Sequence, residues 1–399
     1  MVCRSPAEEG VVLTRLSSVK NNELSIDAES AEVRRTSNHP QIVNPNGSLS
    51  TLSHDMKVLI QGVQKLRQLG VEDLDLPLPK IVVVGDQSTG KSSVIESLSE
   101  IQVPRSAGTC TRCPLEINLS EHASAWTCQV YLVKKYVYDN ISTASRKSQS
   151  KSQAPTRDRP LGRWHQQDLE EFHFYTVEHK DDVPNVLRLA QLATLNPGSP
   201  YTLYKPGTVP AASEALQVKF SPNIVRLDIS GPGLPNLAFH DLPGIINNSD
   251  VEEENYLVQL VRNLVKSYVS SKDSINLLAL PVTDDPANSS ALRLIREVKA
   301  EARTVGCVTK PDRLQSGESL SQWMQILQGN QFRLGHGYFV VKNDVDPAVD
   351  HATARADEKF FFQNQEPWTT TLRNFSSKFG TPVLQAALSE KLASQIRQR

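Results

Sequence analysis

Cysteine is scarce in this chain, and its placement excludes more than it suggests. The five residues, Cys3, Cys110, Cys113, Cys128 and Cys307, are odd in number and irregular in spacing, which excludes the paired framework of a small secreted scaffold. Cys110 and Cys113 form one C-x-x-C, but neither a second such pair nor paired histidines accompany it, so a zinc site would lack half of its ligands. A reducing, cytoplasmic setting is the expectation. Long apolar runs are also missing. Nothing approaches the roughly 18 apolar residues of a membrane-spanning helix, and the opening MVCRSPAEEGVVLTRL has no apolar stretch of a secretory signal. Nor does charge of one sign prevail. Basic residues number 43 and acidic residues 44, a formal net charge of −1, so no global attraction to nucleic acid or to an anionic membrane is encoded. No nucleic-acid partner is expected; peripheral contact with organelle membranes stays open.

Hydrophobic residues make up 39% and charged residues 22%, the balance of a globular protein with a sizeable core. Residues 1–50 are polar and without periodicity and read as a disordered tail; residues 51–399 read as one domain. Met56, Leu59, Ile60, Val63 and Leu66 fall at helical spacing within residues 55–69. Residues 142–160, STASRKSQSKSQAPTRDRP, read as a solvated loop in an insertion at about 139–165. Strands are expected at residues 80–84, 224–229, 236–240, 275–282, 304–309 and 338–341, with GPGLP as a turn between the second and third. Helices are expected at residues 181–195, 253–270, 290–300 and 382–397. Strands alternating with helices predict an α/β fold with a central, mainly parallel sheet flanked by helices.

The sharpest motif is Gly85-Asp86-Gln87-Ser88-Thr89-Gly90-Lys91-Ser92, which satisfies G-x-x-x-x-G-K-[ST] at every fixed position. Glycines let the backbone wrap a phosphate without side-chain clash. Loop N–H groups and the following helix N-terminus then face the anion. Lys91 can reach the β- and γ-phosphates, and Ser92 can ligate Mg²⁺. A chance match would arise in roughly 1–2% of chains of this length. Here the motif follows the strand KIVVV and opens the helix SSVIESLSE, which is the context it requires. Gly85, Asp86, Thr89, Gly90, Ser92 and Ser93 are therefore expected to contact nucleotide.

Two further motifs follow in order. Asp241-Leu242-Pro243-Gly244 ends the strand NLAFH; its Asp suits water-mediated Mg²⁺ contact, and the N–H of Gly244 can bond a γ-phosphate. Thr309-Lys310-Pro311-Asp312 ends another strand. Alone, T-K-x-D is a weak four-letter match; after a P-loop it points to guanine. The Asp312 carboxylate can accept from guanine N1–H and N2–H, a donor pair that adenine lacks, while the Lys310 stem lies along the base. In the stretch after the P-loop helix, residues 103–117, a threonine is needed to ligate Mg²⁺ and hold the attacking water. Thr111 is the choice and Thr109 the alternative; Arg112 is a phosphate or dimer contact or, as readily, a plain surface residue.

At this point the pattern resembles a family. The runs GDQSTGKSSVIESL, VPRSAGTCTRCPLEI, LPNLAFHDLPGII, VTKPD and GYFVVKN, with DEKFFFQ and GTPVLQAALSEKLASQIR, are similar to the GTPase region of dynamins and Mx-type proteins, especially filamentous-fungal relatives, over about residues 55–399. The resemblance implies GTP hydrolysis stimulated by face-to-face dimerisation, and work in membrane remodelling, with membranes or microtubules met through other family members. It implies that Gln87 orients a bridging water or contacts the partner, and that Ser88 and carbonyls of residues 106–108 hold a monovalent cation. It makes Thr111 the water-positioning residue, and places Lys342 and Asn343 in the last base-contacting loop. The chain departs from the family where Ser106 replaces a usual glycine and where Lys342-Asn343 replaces Asn-Arg. The stalk and effector helix are expected to be absent, leaving helices 55–69 and 382–397 to pack as a partial bundle.

Overall fold

The computed structural model describes residues 62, 79–103, 111–122, 125–139, 154–208, 215–234, 236–248, 252–315, 317–344, 346 and 349–397. At its centre is β1 (Lys80–Val84), whose β-branched run suits a strand buried on both faces. Its side chains alternate between two cores: Ile81 and Val83 enter one, Val82 and Val84 the other. On one side β1 pairs in parallel with β7 (Ser274–Pro281), which pairs in parallel with β8 (Thr304–Thr309) and then β9 (Tyr338–Val340). On the other side it pairs in parallel with β6 (Leu237–Asp241). Helices α1 (Lys91–Ser99), α2 (Val183–Thr194), α3 (Tyr256–Val269), α4 (Ser290–Glu297) and α5 (Glu318–Gln328) cover this sheet.

The sheet has nine strands in the order β4-β3-β5-β2-β6-β1-β7-β8-β9. Three of them, β2 (Leu115–Glu121), β3 (Thr127–Tyr138) and β4 (Trp164–Val177), have no counterpart in the sequence-based expectation. They build a mixed wing with β5 (Ile224–Gly231): β3 is antiparallel to both β4 and β5, and β2 is parallel to β5. The strands expected at residues 224–229 and 236–240 are both present, but they are not neighbours in the sheet. Strand β2 lies between them, parallel to β5 and antiparallel to β6. The reason is packing: Leu115, Ile117 and Leu119 alternate onto the same core as Leu227 and Phe239. The opposite face of the wing is polar. There the Asn118 Nδ2 donates to the Asp228 carboxylate at 2.8 Å, and Arg226 forks onto Glu171.

Of the segment read as solvated, residues 156–160 are exposed, and the chain enters the core just beyond it. Leu161 and Trp164 are buried in the second core, and the Pro160 carbonyl accepts from Asn263 Nδ2 of α3 at 2.8 Å. Residues 140–153 of the insertion between β3 and β4 lie outside the described residues, as do the tail 1–50 and, apart from Gly62, the predicted helix 55–69.

Two helices close the chain, α6 (His351–Asn364) and α7 (Thr381–Arg397). Asp350 caps α6 by accepting from the N–H groups of Ala352 and Thr353. The apolar stripe of α7 does not wait for a bundle: Leu384, Leu388, Leu392 and Ala393 are buried in the sheet core with Ile81 and Val83. Whether helix 55–69 joins it lies outside the described residues. Cys113, Cys128 and Cys307 are buried free thiols; burial pushes each above the ordinary thiol range, which makes them poor metal ligands. Among the described residues no helix is long and apolar enough to cross a membrane.

Candidate functional site

The parallel strands β1, β6 and β8 deliver their carboxyl ends to one edge of the sheet, and the three motifs follow those ends. After Val84 the chain turns through residues 85–90 and enters α1. Gly85 has no room for a side chain: a Cβ would lie 2.5 Å from Thr89 Oγ1 and 2.9 Å from the Ala279 carbonyl. Gly90, the N-cap of α1, has φ 90°, a left-handed conformation that glycine adopts without strain. The loop is also closed from within. Thr89 Oγ1 and Lys91 Nζ both donate to the Asp86 carbonyl, at 3.0 and 2.8 Å. Ser92 and Ser93 open α1 and are half-buried at the loop's mouth.

Asp86 has a further role that spacing alone does not disclose. Its carboxylate accepts from the N–H groups of Ser290 and Ala291 at 3.0 and 3.1 Å, the first turn of α4. Burial raises its pKa, and the bonds from Ser289, Ala291 and Ser290 oppose that rise. The side chain of this expected nucleotide contact is thus engaged with α4, and its carbonyl with Lys91. Gln87 N–H donates to the Ile245 carbonyl and Ile245 N–H to the Gly85 carbonyl, each at 3.2 Å, so the phosphate loop is laced to the segment after Gly244.

Asp241 is fully buried at the end of β6, opposite Val83 of β1. Thr111 Oγ1 donates to its Oδ2 at 3.0 Å. Its Oδ1 is buried and has no hydrogen-bond partner among the described residues. Burial pushes the carboxyl up to about 6, with Lys91 and the Thr111 hydroxyl pulling the other way. Gly244 passes so close to the loop that a Cβ would lie 2.9 Å from Lys91 Nζ and 3.0 Å from Gln87 Cα. One carboxylate with an unspent oxygen and the hydroxyls of Thr111 and Ser92 make a hard, oxygen-only donor set. Such a set fits a divalent cation whose other ligands are phosphate and water.

The third motif is clipped onto the first. Thr309 Oγ1 donates to the Thr89 carbonyl at 2.7 Å, and Lys310 Nζ to the Ser88 carbonyl at 2.9 Å. Lys310 itself takes a left-handed φ of 56°, which turns the chain into the short helix Pro311–Arg313 and leaves Asp312 exposed. Lys342 and Asn343 follow β9. The Asn343 Oδ1 is buried without a hydrogen-bond partner among the described residues, and the Lys342 N–H donates to Glu358 Oε1 at 2.8 Å. Thr109, Ser106 and the carbonyls of residues 106–108 lie outside the described residues.

The sequence model described as the Dynamin family matches residues 81–311, and that described as the Dynamin central region matches residues 322–399. The chain belongs to the dynamin family. Among relatives of this dynamin-family chain, the interferon-induced GTP-binding protein Mx2 of Ovis aries is 28% identical over 335 residues, 83% of this chain and 38% of that protein. Mx2 of Bos taurus is 28% identical over 379 residues, 93% of this chain and 44% of that protein. Mx1 of Mus musculus is 29% identical over 341 residues, 84% of this chain and 44% of that protein. The chain thus spans less than half the length of these relatives. The central-region match begins inside α5, yet β9 and α7, which it contains, are built into the same sheet and core as β1 and β8.

Sequence reasoning missed three polar residues that support the site. Glu358 is the first. Glu96 is the second: buried on α1, it accepts from the Val103 N–H at 2.9 Å, just before residues 104–110. Ser290 is the third; its hydroxyl donates to Asn247 Oδ1 at 2.7 Å. Only Glu96 carried a signal, an acid between Ile95 and Leu98 on the apolar face of a helix.

Proposed function

We propose that this dynamin-family chain binds GTP together with Mg²⁺ and hydrolyses it to GDP and phosphate. The strongest support is the pair of bonds from Thr309 and Lys310 to the carbonyls of Thr89 and Ser88, because they hold a base-reading carboxylate at a fixed place relative to the phosphate cradle. Asp312 accepts from the guanine edge, and the Lys310 stem covers the base. The N–H groups of Gly90, Lys91, Ser92 and Ser93 face the phosphates, and Lys91 Nζ exchanges the Asp86 carbonyl for phosphate oxygens. Ser92, Thr111 and, through water, Asp241 are the residues that would hold Mg²⁺, which when bound neutralises charge developing between the β- and γ-phosphates. Thr111 sets the attacking water, Gln87 orients it or contacts a second GTPase domain, and Ser88 holds a monovalent cation. Positioning and electrostatics suffice, with no general base of shifted pKa. Turnover that rises with protein concentration and disappears in Lys91→Ala is the expected result; a folded sample that binds GTP without turning it over overturns hydrolysis.

A second reading is a GTP-dependent dimerisation module with little hydrolysis, favoured by serine at position 106 if that backbone requires a left-handed φ. Tight GTP binding, nucleotide-dependent dimers and negligible phosphate release would select it. Membrane remodelling and contacts with membranes or microtubules belong to the proposal as properties of a longer assembly, to be tested as turnover with and without liposomes.

A further inference from the structure

Glu358 of α6 is 3% exposed and is surrounded by donors from two other segments. Its Oε1 accepts from the Lys342 N–H at 2.8 Å and from the Thr381 hydroxyl at 3.1 Å; its Oε2 accepts from the Thr381 N–H at 2.8 Å. Burial raises its pKa, and these bonds act against that rise. One helical turn earlier, Arg355 donates to the Ser97 carbonyl and the Glu100 carboxylate at the end of α1, both at 3.1 Å. Thus α6 fastens the helix that follows the phosphate loop, the loop that follows β9, and the first turn of α7. A narrow cavity of about 40 Å³ runs between them, lined by Ser93, Lys342, Asn343 and Glu358 among others.

A buried carboxylate is costly unless its oxygens are hydrogen-bonded, and an apolar side chain of similar volume would fill the space without that cost. What leucine could not do is hold the Lys342 N–H. That bond fixes the backbone immediately before Asn343, whose buried side-chain oxygen has no hydrogen-bond partner among the described residues. We infer that Glu358 is a positioning residue for guanine recognition: it holds the Lys342–Asn343 loop in its base-facing shape, with Thr381 at the start of α7 as the counter-anchor. The inference rests on the assignment of that loop to the base.

The test compares binding of fluorescent GDP with binding of inorganic tripolyphosphate, which has no base, to the full chain. Glu358→Leu should weaken GDP by about tenfold, the loss of one charge-assisted hydrogen bond, and leave tripolyphosphate within about twofold. Amide exchange at Lys342 should accelerate while that of β8 does not. General loosening of the fold would weaken both ligands and speed exchange in β8, and would overturn the inference. If Glu358→Leu does not fold, Glu358→Gln decides: it retains an accepting oxygen, so GDP should weaken severalfold with tripolyphosphate unmoved, and unchanged GDP affinity with unchanged Lys342 exchange overturns the inference. Asn343→Ala and Asp312→Ala separate the two levels. If they weaken GDP and the Glu358 variants do not, the positioning role alone falls; if they too leave GDP unchanged, the base-site assignment falls and takes the inference with it.

Discussion

The hydroxyl of Thr111 donates to Oδ2 of Asp241 at 3.0 Å, across 130 residues of chain, while the other oxygen of that carboxylate is buried without a partner among the described residues. Under the proposed function both would hold the same cation, Thr111 directly and Asp241 through water. Thr111→Val keeps the shape and removes the hydroxyl. Turnover should fall about a hundredfold, since a misplaced nucleophile loses that much, while GDP affinity falls far less. Equal losses in single-turnover rate and GDP affinity would show that Thr111 binds nucleotide without setting the water.

Asp241 also predicts a pH signature. Its folded pKa is raised from 3.8 to about 6 by burial, so between these values the folded state binds more protons than the unfolded one. Stability of the nucleotide-free chain should therefore decline as pH rises from about 4 to about 6, by on the order of 3 kcal/mol. Capture of a cation with its nucleotide needs the ionised carboxylate, so kcat/KM should decline in the opposite direction, below about pH 6. Denaturant titrations of wild type and Asp241→Asn across that range check the first sign. Parallel curves for the two proteins would remove Asp241 as the cause.

Asp312→Asn reverses one donor–acceptor relation with guanine. Preference should shift from GTP towards xanthosine triphosphate by about tenfold or more, the scale of a mispaired polar group in a binding site. Competition binding measures it, and an unmoved preference would place the base elsewhere.

Asp86→Ala should act on stability through α4. It leaves the N–H groups of Ser290 and Ala291 without this acceptor, although Ser289 still caps Leu292. A loss of about 1 kcal/mol is expected, read as a shift in denaturant midpoint at constant slope. A change near zero would mean that water satisfies that turn.

Much of the geometry around the three motifs was legible because it is local. The phosphate loop, the Asp241–Gly244 turn and the Thr309–Asp312 turn each work within a few residues at a strand end, and alternation and helical spacing located β1, β7, β8, α3 and α7. Strands β2, β3 and β4 were not legible. Strand β2 is recognisable only by what it pairs with, since Leu115, Ile117 and Leu119 acquire meaning beside Leu227 and Phe239. Residues 156–160 are exposed, as the Ser and Gln of their segment suggest, whereas the burial of Leu161 and Trp164 just beyond it was not legible.

The amino-acid sequence by itself determined the phosphate loop, its order relative to the two later motifs, and the α/β character, because these depend on backbone freedom and periodicity over short spans. Tertiary structure alone decided that β2 separates β5 from β6, that the Asp86 carboxylate caps α4, that α7 lies on the sheet core, and that Glu358 holds the loop after β9. Each of these is a pairing between distant segments, settled by which buried donor finds an acceptor and which apolar face finds cover.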